Sequence, residues 1–111
     1  MIRRHNRCLG IRIWKWGRFQ CELWFAPKGE FIEPHVHEHI NSKIIFLAGE
    51  MLGSIGERAG LLKWPKDIGR AFHVPAGMTH SALVGSFCVF ANAERWTNDE
   101  VTSAAADFTA V

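Results

Sequence analysis

The chain is 111 residues long, 48% hydrophobic and 22% charged, with a formal net charge of +2. That length fits a single domain over residues 1–111 with one real core, and the balance of apolar and charged residues excludes disordered and collagen-like chains. No apolar run approaches the ~20 residues that span a bilayer as a helix, and so small a charge gives no general reason to expect a nucleic-acid partner.

Residues 1–8 form a basic arm. Arg3, Arg4, Arg7, Arg12, Lys15 and Arg18 all precede the first acidic residue, Glu22. Such a cluster can touch phosphates, but no base-reading motif accompanies it, and the arm reads as a solvated terminus. No apolar stretch follows Arg7, so it does not read as a signal peptide; the expected compartment is the cytoplasm.

Ile11 and Ile13 then alternate with Arg12, Trp14 and Trp16, and a second alternating run follows Gly17. In that second run Phe19, Cys21, Leu23 and Phe25 fall on one side, the expected core face. Arg18, Gln20, Glu22 and Trp24 fall on the other. Two such runs about a glycine predict a tight antiparallel hairpin. Trp14, Trp16 and Trp24 would lie on its non-core faces, where contiguous aromatic surface is costly in water. The expectation is a homodimer joined through these hairpin tryptophans.

Pro27, Lys28 and Gly29 break the chain before an extended segment that carries three of the six histidines. Residues 43–48 are a nearly continuous apolar run, expected as a strand buried on both faces and ending at Gly49. Residues 50–56 continue after that turn, and the glycines, Pro65 and mixed charges of 57–69 predict loop and short edge strands. Short strands are expected at 72–74, 80–84 and 87–93, separated by Pro75-Ala76-Gly77 and by Gly85-Ser86. Thr97 or Asn98 could cap a short helix reaching Ala104 to Ala106, with a frayed tail over 97–111 as the alternative. Many short strands with turn signals between them predict an all-β sandwich or barrel. Cys8, Cys21 and Cys88 are odd in number and widely spaced, and read as free thiols that pack like small apolar side chains.

Residues two apart on a strand share a face. His35 and His37 therefore project together, at a spacing that lets both imidazoles reach one metal ion. The same parity puts Glu33 and His39 on that face and Glu38 away from it. His39 reads as a donor behind the ligands or as a turn residue in solvent, and Glu33 and Glu38 as solvated charges near a rim. A third ligand must come from elsewhere, and His73 and His80 are the other histidines in the body of the fold; His5 belongs to the arm.

Five residues separate Gly29 from His35, with Val36 and His37 next and Gly49 beyond. Gly69 opens a second pattern that runs through Pro75, Ala76 and Gly77 to His80. This arrangement resembles the two motifs of the cupin superfamily, G-x5-H-x-H-x3,4-E-x6-G and G-x5-P-x-G-x2-H-x3-N. The resemblance implies a double-stranded β-helix, a jelly-roll barrel with a metal in its mouth, commonly dimeric. It implies His35, His37 and His80 as the ligands, with Pro75-Ala76-Gly77 as the turn that delivers His80. The chain departs from the pattern twice. Ser42, or Asn41 at the shorter spacing, stands where a glutamate ligand is expected, and Val84 replaces the asparagine.

Three neutral histidines leave a divalent ion its full charge, with open positions that favour anionic or chelating ligands. His39, Asn41, Ser42 and water are the candidates for closing the site. By the resemblance the expected cofactor is a divalent transition metal, Fe(II) first, with Ni, Mn or Zn as alternatives. The expected function is a non-haem iron dioxygenase acting on a small organic acid or diketone-like chelator. The chain has no tyrosine, which counts against the thiol-oxidising branch of three-histidine cupins. A zinc site that activates water is chemically open, though no general base accompanies it in the sequence. The rival expectation is a non-catalytic module that binds a metal or small ligand to sense or store it.

Overall fold

The alternating runs of the sequence become nine strands in the computed structural model, which describes residues 2–100 and 102–111. They are β1 (Ile2–His5), β2 (Cys8–Trp16), β3 (Phe19–Ala26), β4 (Phe31–Val36), β5 (Ile40–Ile55), β6 (Arg58–Lys63), β7 (Ala71–Val74), β8 (His80–Trp96) and β9 (Thr109–Ala110). The organising strand is β8. One of its edges pairs antiparallel with β5 along nearly its whole length, and the other takes β4 near His80 and β3 toward Trp96. The sheet extends through β2 and β1 beyond β3, and through β6 and β7 beyond β5. This all-β sheet curls around a cavity of about 1220 Å³. No helix among the described residues is long and apolar enough to cross a membrane.

The predicted hairpin is present. Trp16 pairs with Phe19 across Gly17, whose φ of 59° is the left-handed conformation that glycine adopts without steric cost. Its faces are the reverse of the expectation. Gln20, Glu22, Trp24 and Ala26 point inward and are buried, while Cys21, Leu23 and Phe25 are half-buried on the outer side. Alternation shows that a strand has two faces; it does not say which one turns inward when the inner face carries a polar cluster and the outer one is also apolar. Trp24 consequently leaves the exposed aromatic set and joins the core, against Gly10, where an added Cβ would come within 2.6 Å of the indole. Trp14 and Trp16 remain 48% and 80% exposed.

The core gathers Cys8, Trp24, Ala26, Phe46, Met51, Leu62, Val84 and Cys88. Full burial of a side chain such as Phe46 contributes about 1.5–3 kcal/mol. The three cysteines are free thiols, and burial pushes Cys8 up to about 11 and Cys88 up to about 12, keeping both protonated and inert.

Several expected boundaries dissolve. β5 does not end at Gly49 but passes through it, its register against β8 shifting on either side. Gly49 has φ 95°, and a Cβ there would lie 2.1 Å from the Phe87 carbonyl oxygen, so this glycine is a bulge rather than a turn. The run at 43–48 is not buried on both faces, since Ile44 and Ile45 are half-buried and Lys43 is exposed. The two strands expected on either side of Gly85-Ser86 are one, β8. The basic arm is a strand too: β1 pairs with β2, and Arg7 bonds Glu30 at 3.1 Å. At the other end the segment after Trp96 is neither helical nor frayed among its described residues. Asn98 Oδ1 accepts the Glu100 N–H in a local turn, Ala104 to Ala106 form a turn, and β9 returns to pair with β4 at His35 and Val36.

Candidate metal centre

His35 stands on β4, His37 one residue past its end, and His80 opens β8 directly opposite His35 in the ladder. Adjacent strands thus bring together residues far apart in the chain. Each histidine offers a ring nitrogen within 4.8 Å of those of the other two. Ring centroids are 4.0 Å apart for His35 and His80, 4.8 Å for His35 and His37, and 5.1 Å for His37 and His80. All three side chains are buried, with exposures of 3%, 7% and 9%. The turn that positions them is the predicted one: Gly77, at φ 82°, donates its N–H to the His37 carbonyl at 2.9 Å.

The donor set fits a divalent transition metal on two independent grounds. The first is hydrogen bonding. Nδ1 of His35 lies 2.7 Å from the Glu33 carbonyl, Nδ1 of His80 lies 3.3 Å from the Met78 carbonyl, and Nδ1 of His37 meets the Asp107 carbonyl. A carbonyl oxygen only accepts, so each Nδ1 carries the proton and each Nε2 presents a free lone pair, the usual arrangement behind a metal-bound imidazole. The second is charge. Burial, followed by the neighbouring histidines, lowers His35 to about 3 and His80 to about 4, and burial lowers His37 as well. At neutral pH all three are uncharged and able to ligate.

The other candidates fall away from this point. His39 is exposed, and its backbone N–H and Nδ1 both bond the Asp107 carboxylate, at 2.8 and 2.9 Å. The strand ends at Val36, so the parity that put His39 beside His37 does not extend that far. Asn41 Oδ1 accepts the Ala76 N–H at 3.0 Å and thereby holds the Pro75-Gly77 turn. Ser42 is buried inside the sheet between Val74 and Glu94, its pairing partners on β7 and β8. His73 is exposed. Among the described residues no carboxylate or thiol joins the three histidines in a cluster of ligating atoms.

Three residues that the sequence did not nominate are also present. Phe108 stacks on His35 with centroids 4.1 Å apart and an interplanar angle of 18°, and the His5 ring lies 4.3 Å from Phe108. Asp107 bonds both His37 and His39. All three reach the site from the chain termini, through β1 and β9, and no short spacing in the sequence advertises them. The cavity beside the histidines is lined by apolar groups including Trp24, Ile32, Met51, Phe72 and Phe90, with Arg58 and Arg70 among its exposed lining residues.

The sequence matches no protein-family model and no curated protein. Solved structures do resemble it in shape. KdgF from a Halomonas species has a TM-score of 0.77 at 14% identity, over 90% of this chain and 91% of that one. An RmlC-like cupin from Shewanella frigidimarina has a TM-score of 0.75 at 15% identity, over 90% and 86%. An oxalate oxidase has a TM-score of 0.62 at 15% identity, over 74% of this chain and 44% of its own. Identities this low speak to architecture, and on architecture they agree with the two-motif spacing: the chain has the cupin fold, a small double-stranded β-helix with a buried three-histidine cluster.

Proposed function

We propose that this chain is a metal-dependent enzyme, a non-haem iron dioxygenase that acts on a small organic acid or diketone-like chelator. The observation that carries the reading is the histidine cluster itself, three buried rings each with a nitrogen within 4.8 Å of those of the other two and each with its Nδ1 at a backbone carbonyl, beside an apolar cavity. His35, His37 and His80 are the proposed ligands. A divalent ion in that position supplies Lewis acidity and, as Fe(II), redox chemistry toward dioxygen. The remaining work belongs to the chain. Phe108 and the aromatic lining make the wall beside the histidines apolar, and Arg58 and Glu57 line the cavity together with Arg70, which is paired with Asp67 at 3.3 Å. The likeness in shape to an oxalate oxidase supports oxidative chemistry on small acids as the class to test first.

We further propose that the protein is a homodimer joined through the first hairpin. Ile13, Trp14, Trp16 and Phe19 are all exposed on the first hairpin, and aromatic residues are enriched at interface cores.

The deciding experiment is metal analysis of the purified protein, followed by oxygen-electrode assays with a panel of small organic acids and diketones. Fe(II) at about one ion per chain and substrate-dependent oxygen consumption, both lost in His80→Ala, are the expected results. Metal bound with no turnover across the panel would make the chain a binding module instead. No bound metal after supplementation with Fe, Ni, Mn and Zn would defeat the three-histidine site.

A further inference from the structure

The cavity beside the histidines is larger than a two- or three-carbon acid needs. It measures about 1220 Å³, above the roughly 300–1,000 Å³ of ordinary ligand pockets, and Ile32, Ile44, Met51, Phe72 and Phe90 make its wall mostly apolar. Two polar groups interrupt that wall without partners of their own. Trp24 and Asn92 both line the cavity and are buried, at 5% and 7% exposure. Trp24 Nε1, which only donates, and Asn92 Oδ1, which accepts, meet no hydrogen-bonding group among the described residues.

The sheet sets these two groups side by side. Trp24 pairs with Phe90 and Glu22 with Asn92 across β3 and β8, so Trp24 and Asn92 are diagonal neighbours on one inward face, their Cα atoms about 7–8 Å apart. Close packing against Gly10 holds the indole in place. A buried donor or acceptor left unpaired costs free energy that an apolar ligand does not recover. A ligand group that accepts from Trp24 and donates to Asn92 recovers it, and a hydroxyl does both.

We infer that Trp24 and Asn92 determine the specificity of the cavity, and that its ligand is a chelator of aromatic bulk carrying a hydroxyl away from its chelating end. The chelating end meets the ion at His35, His37 and His80, the apolar body lies against the wall, and the hydroxyl bonds Trp24 and Asn92. This rests on the metal-dependent reading above and narrows its substrate class to hydroxylated chelators of that bulk. Buried polar groups without partners reject an analogue that lacks the hydroxyl more strongly than an apolar pocket rejects a change of one methylene.

The test is titration calorimetry of the protein loaded with Zn2+, which is redox-inert, using acetylacetone, benzoylacetone, and benzoylacetone hydroxylated at the meta or para position of its ring. All share one diketone head. Benzoylacetone is expected to bind about tenfold or more tightly than acetylacetone through burial of its ring, and at least one hydroxylated probe about 3- to 10-fold more tightly again. Asn92→Ala and Trp24→Phe are each expected to remove the hydroxyl gain while binding benzoylacetone within about threefold of wild type. Thermal unfolding checks that each variant folds, and Asn92→Val replaces Asn92→Ala if that one does not. Acetylacetone binding as tightly as benzoylacetone overturns the inference alone, as does a hydroxyl gain that survives both variants. So does the absence of any gain, the outcome if the Asn92 amide turns instead to its ladder partner Glu22. A wild type that binds no Zn2+ overturns the metal reading, and one that binds Zn2+ but no diketone overturns the proposed substrate class; either result takes this inference with it.

Discussion

Replacing Glu94 by glutamine tests directly whether the barrel interior holds a neutral carboxyl. Glu94 has a value of about 9 in the folded chain against 4.5 for an unperturbed glutamate, for reasons of burial first and Glu22 second. The folded state therefore binds this proton more tightly than the unfolded state. Its contribution to stability is complete below about pH 4.5 and is lost progressively as pH rises toward 9, because unfolding then releases a proton that the solvent readily takes. The slope is about 1.4 kcal/mol per pH unit, so from about pH 5 to about pH 8 the wild type loses ~4 kcal/mol through this group. Glutamine keeps the volume and can still bond Gln20 and Glu22, but it does not titrate. Urea unfolding of the metal-free proteins across that range is the assay, and titrations common to both cancel in the difference. Glu94→Gln is expected to gain ~4 kcal/mol on wild type between the two ends. A difference flat to within about 1 kcal/mol, or one that moves the other way, would refute a neutral Glu94 in the folded barrel.

Metal-free wild type should also lose stability in acid. His35, His37 and His80 all titrate below 6.5 when folded, so their contribution is present above pH 6.5 and drains away as pH falls toward the folded values, by about 1.4 kcal/mol per unit for each histidine. Together with Glu94 this places maximal stability of the metal-free protein near pH 6.5, which unfolding at a series of pH values will locate. Gly49→Ala is expected to cost about 3–5 kcal/mol, from a positive φ and a Cβ driven into the Phe87 carbonyl; chemical denaturation measures it, and a loss under about 1 kcal/mol would show that the β5 bulge relaxes freely. Trp16→Glu should convert the proposed dimer to monomer in sedimentation analysis while leaving the metal affinity unchanged, and a dimer that survives it places the interface elsewhere.

The sequence by itself determined the all-β class, the hairpin at Gly17, the free thiols and the convergence of His35, His37 and His80. Strand periodicity and the spacing of glycine, proline and histidine are local properties, and each of these features depends on them. Sequence did not determine which face of β3 turns inward. The apolar residues Phe19, Cys21, Leu23 and Phe25 look like a core, yet the barrel closes over Gln20, Glu22 and Trp24, because a face is buried by what packs over it, here Phe46, Met51 and Leu62 of β5 and β6 in the cluster with Trp24, and the Ala104 turn against Glu22. Nor did it reveal that Asp107 and Phe108 would come to lie against His37 and His35. Those contacts depend on β9 pairing with β4 across some seventy residues of chain, a closure that no local pattern encodes. The carboxylate missing at Ser42 was legible as an absence. That a buried carboxyl pair stands on the neighbouring strands could be seen only once the sheet had been folded, since Glu22, Ser42 and Glu94 meet through ladder register and not through spacing.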